Sequence, residues 1–347
     1  MNRHTGSLAI RKPYLLLVGD QSEPVFAKTA FGLRDWCGED CVGQIRFADG
    51  AVDLGLPDYT PADAARSGAQ TVVIGVAVPG GGLSAEWQEV LLALLEAGFD
   101  IASGLHDALE DNPALVLRAR ALGRRLHDVR RFAGPLKVGT GRRRTGRRLL
   151  TVGTDCAVGK KYTALAVARW LQDAGHPATF RATGQTGILI AGEGIAVDAV
   201  KADFVSGAAE ALSPDAALGH WDVVEGQGSL FHPSFAAVTL GLVHGSQPDL
   251  MVLCHEAGRT VIAGLPDYRL PDWESAIAGY TDAARLTNPG ARVAAISLNC
   301  GRLPAEARAA AVAGAEAATG LPVFDPMASA PDSAAVRALV GACAALD

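Results

Sequence analysis

The sequence has little of what marks proteins that bind nucleic acid or cross membranes. Aromatic residues make up 6% of the 347 residues and the formal net charge is −6, so a basic, aromatic nucleic-acid surface is not expected. No uninterrupted apolar segment approaches the length of a membrane span, and residues 1–11 lack the apolar core of a signal peptide. We therefore predict a cytoplasmic protein that acts on small molecules, without a nucleic-acid or membrane partner, and we expect a homo-oligomer.

Cysteine is sparse and scattered. The six cysteines form no pair of doublets at metal-ligand spacing, and Cys37 with Cys41 alone makes a weak case for zinc. We therefore expect reduced thiols and no metal site. Cys156 is a separate question, because a thiol in the first turn of a helix can have a lowered pKa and act as a nucleophile. The alternative is that Cys156 only fills a loop position whose backbone N–H binds the ligand.

The alternation of strand and helix patterns predicts an α/β protein. With 49% hydrophobic residues, the chain is long enough for two domains that each bury a core. Gly19 and Asp20 follow the first predicted strand without a G-x-G-x-x-G fingerprint, so dinucleotide binding there is unsupported. We assign residues 1–138 to a Rossmann-like N-terminal domain. Its predicted strands are 14–18, 71–76 and 100–103, and its predicted helices are 25–36, 84–97 and 113–122.

The second half alternates in the same way. We assign residues 149–347 to a P-loop NTPase-like domain with a doubly wound parallel sheet. Ligands of such a sheet gather at the carboxyl ends of its strands. The predicted strands are 149–152, 178–182, 223–224, 250–253, 293–298 and 321–324, and the predicted helices are 161–174, 270–285 and 304–319.

A dense arginine run lies between the two predicted domains. Residues 139–148 contain five arginines without any periodicity, and we assign them to an Arg-rich linker. Two interpretations remain open at this point. The run is a solvated linker, or some of its arginines lie near the phosphate loop described next and attract an anionic ligand.

A phosphate-binding loop is indicated by residues 151–163, TVGTDCAVGKKYT. An apolar strand leads into a glycine-bounded turn, a Gly-Lys pair and a helix, which allows backbone N–H groups and a lysine to surround phosphate oxygens. The Ser or Thr that normally follows the lysine and holds Mg²⁺ is missing, since Lys161 stands there and the nearest hydroxyl is that of Thr163. The residues expected to contact the cofactor are Gly153, Thr154, Asp155, Cys156, Ala157, Val158, Gly159, Lys160, Lys161 and Tyr162.

Four further polar segments follow predicted strands, and we expect them at the same edge of the sheet. Residues 181–187 (RATGQTG) suit a bound carboxylate or phosphate, or form a plain glycine-rich loop. Glu225, in 224–229 (VEGQGS), is placed where P-loop proteins keep a metal ligand or a base, or it is an N-cap or a structural ion pair. Arg259, in 253–259 (LCHEAGR), could hold a substrate carboxylate or pair with Glu256. Asn299 could read an adenine edge or stabilise a turn.

These motifs carry a resemblance to known families. The spacing of 153–160 (GTDCAVGK), together with Glu225 and Asn299, resembles dethiobiotin synthetase, in which the corresponding glutamate helps hold Mg²⁺ and the asparagine reads the purine. A closer resemblance, over nearly the whole chain, is to the D-glutamate N-acetyltransferase family, two-domain proteins with a Rossmann-like N-terminal domain. It is carried by 153–160 and by 182–188 (ATGQTGI), 224–229 (VEGQGS), 244–248 (HGSQP) and 253–259 (LCHEAGR).

The resemblance implies an N-acetyltransferase that uses acetyl-CoA as donor and acetylates D-glutamate or a similar acidic amino acid. CoA offers its pyrophosphate to the loop and reacts at the distant thioester, so a Mg²⁺-binding hydroxyl after Lys160 is dispensable. The catalytic base would be Glu225 or His255. Asn299 would contact the cofactor. The residues expected to hold the substrate are Thr183, Gln185, Thr186, Gln227 and Arg259.

Two other functions stay open. An ATP-dependent carboxylate-activating ligase, similar to dethiobiotin synthetase, would use Mg²⁺ with ATP, and Asp155, Glu225 and water could still hold the metal. A regulatory protein that senses nucleotide or CoA would bind a ligand at the same loop without any reaction.

Overall fold

The computed structural model describes residues 10–47, 50–77, 83–132 and 134–346. The chain forms two compact units: the first comprises Met1–Ala133 and Gly184–Ala196, and the second Gly134–Thr183 and Val197–Asp347. Residues 1–9 of the predicted N-terminal domain lie outside the described residues. A short piece of chain from the middle of the sequence therefore packs with the first unit.

A parallel sheet organises the first unit. Its strands follow the order β2-β1-β3-β4-β5, and all of the pairings are parallel. The strands are β1 Tyr14–Gly19, β2 Cys41–Arg46, β3 Thr71–Ile74, β4 Asp100–Ser103 and β5 Leu126–Asp128. The helices from the first part of the chain are α1 Lys28–Trp36, α2 Ala85–Glu96 and α3 Pro113–Leu122.

Helices α2 and α3 of this unit begin at residues whose side chains cap them. The side chain of Ser84 accepts a hydrogen bond from the backbone of Trp87 at the start of α2. Asn112 accepts from Ala114 and Leu115 at the start of α3, and Pro113 occupies the first turn, where its missing N–H has no cost. These local signals explain why both helices begin within one residue of the predicted position.

The second unit contains a six-stranded sheet in the order β13-β12-β9-β6-β8-β7. Its pairings are parallel, and a separate antiparallel pair, β10 with β11, follows β9. The strands are β6 Arg147–Gly153, β7 Ala178–Arg181, β8 Trp221–Val224, β9 Leu250–Glu256, β10 Val261–Ile262, β11 Leu265–Arg269, β12 Arg292–Asn299 and β13 Val323–Phe324. The helices are α4 Lys160–Asp173, α6 Val205–Leu212, α7 Ala236–Ser246, α8 Trp273–Arg285, α9 Ala305–Thr319 and α10 Ala334–Ala344, while α5 Gln185–Ala191 belongs to the first unit.

The core of the second unit lies around its central strands. Leu150 and Val152 of β6 pack with Met251 and Leu253 of β9 and with Tyr280 of α8, all of them buried. Apolar side chains point to both faces of these strands, as is typical of a parallel sheet covered by helices. Because β6 lies between β9 and β8, the loop that follows it lies in the middle of the carboxyl edge. The α/β class with parallel sheets that the sequence predicts is confirmed.

The arginine run has a structural role that neither interpretation of the sequence includes. Arg144 is buried and donates to the carbonyl oxygens of Ser213 and Gly245, both at 2.7 Å. Arg148 is also buried, and with Arg147 it begins β6. Because a strand rises about 3.3 Å per residue, Arg147 and Arg148 lie roughly 17 to 20 Å from the far end of β6, where the phosphate loop begins. The solvated linker is therefore wrong for the buried Arg144 and Arg148, whereas Arg142 and Arg143 are exposed as it predicts. The position beside the loop is wrong for Arg147 and Arg148.

Within the described parts of the chain, no helix has the length and apolar character required to cross a membrane.

Candidate functional site

The predicted phosphate loop connects the central strand β6 to helix α4. Two glycines are required by its geometry. Gly159 has φ +107°, a left-handed conformation that side chains with a Cβ rarely adopt, and it directly precedes the helix. A Cβ at Gly226, in the loop after β8, would collide with the carbonyl oxygen of Thr151. The loop after β8 is thus packed backbone against backbone on strand β6, two residues before the phosphate loop begins.

Lys160 lies in the first turn of α4 with its ammonium group turned back into the loop. Its Nζ donates to the carbonyl oxygen of Asp155 at 2.8 Å, and the residue is only 7% exposed. Burial lowers the pKa of Lys160, while the nearby Cys254 opposes this shift. A lysine held in this way is ready to exchange a backbone carbonyl for a phosphate oxygen, which stabilises its charge far better.

The first aliphatic hydroxyl after the lysine pair, that of Thr163, is already engaged. Thr163 is fully buried, and its Oγ1 donates to the carbonyl oxygen of Gly159 at 3.0 Å and lies 2.7 Å from the hydroxyl of Ser297. Lys161, in the position normally held by the metal-binding Ser or Thr, has its Nζ 4.5 Å from the centre of the Tyr162 ring. The structure therefore gives Thr163 a packing role between α4 and β12.

Asp155 holds the phosphate loop to the segment that follows β9. One of its carboxylate oxygens accepts from the backbone of Cys156 at 2.6 Å. The other accepts from Arg259 and from the backbone N–H of Ala263, both at 2.8 Å. Arg259 also donates to Glu256 at 2.7 Å. The pairing of Arg259 with Glu256 that the sequence left open is thus present, and the guanidinium, 10% exposed, bridges two carboxylates.

Glu225 is buried at the end of β8, next to the residues that follow β7. Its Oε2 accepts from the backbone N–H of Thr183 at 2.9 Å, and its carbonyl oxygen accepts from the hydroxyl of Thr183 at 2.7 Å. The amide of Gln227 donates to the same hydroxyl at 3.2 Å. Three of the predicted residues, Thr183, Glu225 and Gln227, are therefore brought into one hydrogen-bonded group.

The other two residues of the predicted substrate loop belong to the first unit. Gln185 accepts a hydrogen bond from Arg130 at 3.3 Å, and the hydroxyl of Thr186 lies 3.0 Å from that of Thr29. Both residues begin α5, which belongs to the first unit. The segment 183–186 thus starts in the second unit and continues into the first.

His255, the second candidate base, lies beside the phosphate loop. Its Nδ1 is 2.8 Å from the hydroxyl of Thr154, and its ring contacts Trp273 edge to face at 4.9 Å. Burial, with a smaller effect of the Arg259 charge, lowers the pKa of His255 to about 4. The imidazole is therefore neutral near pH 7 and is a weak base.

Tyr280 of α8 contacts the loop and has no signal in the sequence. Its buried hydroxyl donates to the carbonyl oxygen of Gly153 at 2.7 Å and accepts from the backbone of Leu230 at 3.1 Å. Burial raises the pKa of Tyr280 to about 12. A tyrosine within an amphipathic helix looks like an ordinary core residue, so the sequence analysis missed it.

Asp155, Cys156 and His232 form a group whose donor atoms lie within 4.8 Å of one another. Three such ligands suit a transition metal in number. However, the carboxylate of Asp155 already accepts from Arg259, and Nδ1 of His232 accepts from the backbone N–H of Ser234 at 3.1 Å. Burial also raises the pKa of the Cys156 thiol. A metal ion at this group would have to displace Arg259 from Asp155. If Nε2 of His232 bound the ion, the ring would need a different tautomer from the one in which Nδ1 accepts from Ser234. The raised pKa of Cys156 also disfavours a role for its thiolate as a nucleophile.

Asn299 ends β12 close to the phosphate loop. Its Cβ lies 3.9 Å from the position that a Cβ on Gly159 would occupy. Its Oδ1 accepts from the backbone N–H of Gly301 at 3.0 Å, which is the turn-stabilising role that the sequence left open. The contact of its amide with a purine stays a prediction.

Known proteins resemble this chain in both halves. Residues 137–335 match a family model described as "Domain of unknown function (DUF1611_C) P-loop domain", and residues 43–132 match one described as "Domain of unknown function (DUF1611_N) Rossmann-like domain". Both descriptions agree with the domain types predicted from the sequence.

Two curated proteins named D-glutamate N-acetyltransferase are similar over most of their length. The protein from Tritonibacter scottomollicae is 49% identical over 317 residues, which are 91% of this chain and 95% of that protein. The protein from a Pseudoalteromonas species is 44% identical over 326 residues, or 94% and 98% of the two chains. The crystal structure of a DUF1611 family protein from Anabaena variabilis has a TM-score of 0.82 at 32% identity and covers 96% of this chain and 100% of that one.

Proposed function

The chain belongs to the DUF1611 family. We propose that it is an N-acetyltransferase for D-glutamate or a similar acidic amino acid, with acetyl-CoA as the donor. The observation that carries the proposal is the similarity, at 49% and 44% identity over more than nine-tenths of the chain, to two proteins named for that activity. We propose that residues 153–162 bind the phosphates of the donor.

The engaged hydroxyl of Thr163 favours a CoA donor over ATP. In phosphoryl transfer, Mg²⁺ bridges the β- and γ-phosphates and is held by the hydroxyl after the loop lysine. Here that position is Lys161, and Thr163 is bonded to Gly159 and Ser297. CoA needs only that its diphosphate be held, because its chemistry takes place at the thioester. Two adjacent lysines at the start of α4 suit such a diphosphate.

Glu225 is the general base in this proposal. It accepts the proton of the substrate ammonium, and the nitrogen lone pair then attacks the thioester carbonyl carbon. The tetrahedral intermediate collapses with cleavage of the C–S bond, the nitrogen releases its second proton to give the amide, and the departing CoA thiolate takes up one proton. Glu225 is preferred to His255 because its carboxylate lies in one hydrogen-bonded group with Thr183 and Gln227, while His255 lies beside the phosphate loop and is bonded to Thr154. Its neutral ring is better suited to donate a hydrogen bond to the developing oxyanion.

The substrate carboxylates are assigned to the residues around Thr183. Gln227 donates to the Thr183 hydroxyl, so this pair already presents polar groups beside Glu225. A substrate role for Gln185 and Thr186, which begin α5 of the first unit, stays a prediction from the sequence. Arg259 joins them only if a substrate carboxylate replaces Asp155 or Glu256, its partners at 2.8 and 2.7 Å.

The test is an assay of CoA release with purified protein, acetyl-CoA and a panel of D- and L-amino acids. We expect release with D-glutamate and weaker release with other acidic amino acids. Calorimetric titration with acetyl-CoA, and separately with Mg·ATP, distinguishes the acetyltransferase from the ATP-dependent ligase. Tight binding of acetyl-CoA without thiol release for any amino acid would instead support the regulatory protein. Turnover of ATP with a carboxylate substrate would contradict the proposal.

A further inference from the structure

The proposed donor carries one anionic group that the phosphate loop does not account for. Besides its diphosphate, CoA has a 3′-phosphate on the ribose, which ATP and ADP lack. Arginine binds such a group well, because its planar guanidinium donates to two phosphate oxygens at once. A site that prefers CoA should therefore carry an accessible arginine beside the loop, towards the purine end of the ligand.

Two of the cations close to the loop are already engaged. Lys160 is buried and directed at the Asp155 carbonyl oxygen. Arg259 is 10% exposed, with Nη1 bonded to Asp155 and Nη2 to Glu256. Both side chains are fixed by the loop itself, so neither has an open face for a second phosphate.

Arg302 differs from them in exposure and position. It lies in a turn directly after Asn299, which is closed by a hydrogen bond of 2.9 Å from the backbone of Leu303 to Cys300. Its side chain is 79% exposed, and its Nη1 lies 3.2 Å from Glu256. A guanidinium has five N–H donors, so the edge turned away from Glu256 can take a phosphate.

Three ion pairs connect Arg302 to the loop. Asp155 in the loop holds Arg259, Arg259 holds Glu256, and Glu256 holds Arg302. In this row two carboxylates alternate with two guanidinium groups, so their formal charges cancel and the local charge does not repel an added dianion. Asn299, next to Gly159, lies on the same side of β6.

We propose that Arg302 binds the 3′-phosphate of CoA and thereby makes this site prefer CoA to nucleotides that lack this group. The inference rests on the proposed function, since it takes acetyl-CoA as the ligand of the loop. Glu256 orients the guanidinium, and the ligand phosphate occupies its solvent-exposed edge.

The experiment is calorimetric titration of the full chain with CoA and with 3′-dephospho-CoA. We expect wild-type protein to bind CoA about 10- to 100-fold more tightly, as a charge-assisted contact warrants. In Arg302→Gln that preference should vanish through weaker binding of CoA, with 3′-dephospho-CoA unchanged. Arg302→Lys keeps the positive charge but not the planar guanidinium that donates to two oxygens, so this variant should retain part of the preference for CoA. The matched control is Arg269→Gln, an exposed arginine of the β10–β11 pair, which should behave as wild type.

Several outcomes overturn the inference, and they are distinct from failure of the proposed function. If the wild type binds both ligands equally, the protein does not recognise the 3′-phosphate, but the proposal of a CoA donor is unaffected. If Arg302→Gln weakens both ligands alike, or if Arg269→Gln has the same effect as Arg302→Gln, Arg302 does not bind that phosphate specifically. Absence of binding of either ligand to wild type would overturn both the donor assignment and the role of Arg302.

Discussion

The hydroxyl of Tyr280 donates a hydrogen bond of 2.7 Å to the carbonyl oxygen of Gly153, the residue at which β6 gives way to the phosphate loop. The Tyr280 hydroxyl oxygen also accepts a hydrogen bond of 3.1 Å from the backbone N–H of Leu230, in the segment that follows Glu225. One buried phenol on α8 therefore joins the loop proposed to bind the donor to the loop that carries the proposed base.

Tyr280→Phe should destabilise the protein and disturb both loops. The ring can keep its edge-to-face contact with Phe231, but a buried carbonyl and a buried N–H lose their partner, which costs about 1–3 kcal/mol. We expect a lower free energy of unfolding in urea and a higher KM for acetyl-CoA. Tyr268→Phe, at an exposed tyrosine of β11, is the control and should change neither. Unaltered stability and KM in Tyr280→Phe would contradict a positioning role.

Glu225→Gln should lose turnover and keep donor binding. The amide has the size of the carboxylate and can still accept from the Thr183 backbone, but it cannot take a proton. We expect kcat to fall by about 10²- to 10⁴-fold, measured as CoA release, with little change in acetyl-CoA affinity by calorimetry. Glu316→Gln, at an exposed position of α9, should retain full activity. Full activity in Glu225→Gln would exclude this residue as the base.

His255 should make the protein less stable as the pH falls. The folded pKa is lowered from 6.5 to about 4, so between these values the unfolded chain binds a proton that the folded protein does not. Stability therefore falls as the pH decreases through this window, by roughly 2–3 kcal/mol in total. In His255→Gln this contribution disappears. The free energy of unfolding in urea should therefore decrease less between pH 7 and pH 4 in the variant than in the wild type. An equal decrease in the free energy of unfolding in both proteins would show that the pKa of His255 is not lowered by folding.

Lys161→Thr should give the loop a dependence on metal that the wild type lacks. We expect wild-type affinity for CoA to be the same with Mg²⁺ or with a chelator, because Lys161 supplies charge where a metal-binding hydroxyl normally stands. The variant should bind CoA about tenfold more weakly without metal, and Mg²⁺ should restore part of that loss. Lys201→Thr, at an exposed lysine, is the control in the same titrations. Strong dependence of wild-type CoA binding on Mg²⁺ would contradict this role.

Arg144→Gln should lower stability without changing ligand binding. Buried carbonyl oxygens of Ser213 and Gly245 lose a charged donor, which costs about 1–3 kcal/mol in the free energy of unfolding. Arg142→Gln is the matched variant, because Arg142 is 63% exposed and pairs with Asp215 at the surface, where such a pair contributes little. The salt dependence of CoA binding should be equal in both variants and wild type. If the affinity of Arg144→Gln for CoA depended less on salt than that of the wild type, Arg144 would contribute to ligand binding and the prediction would be wrong.

Local patterns in the sequence predicted much of the fold. Strand β4 and helix α3 were predicted with the bounds that the structure has, and α2 within one residue at each end, because apolar periodicity and caps act over a few residues. Strands β2 and β5 were missed. The first, CVGQIR, contains a glycine and a buried glutamine, and the second has three residues, so neither shows an apolar run.

The sequence by itself determined the α/β class, the phosphate loop and the substitution of Lys161 for a metal-binding hydroxyl, since each is encoded in contiguous residues. Only the tertiary structure decided that Arg144 is buried, that Arg259 joins Asp155 to Glu256, and that Tyr280 holds Gly153. The Tyr280–Gly153 bond joins residues 127 positions apart, and the Arg259–Asp155 bond joins residues 104 apart. No short-range pattern encodes such contacts, because they arise only when the sheet brings the ends of separate strands and helices to one edge.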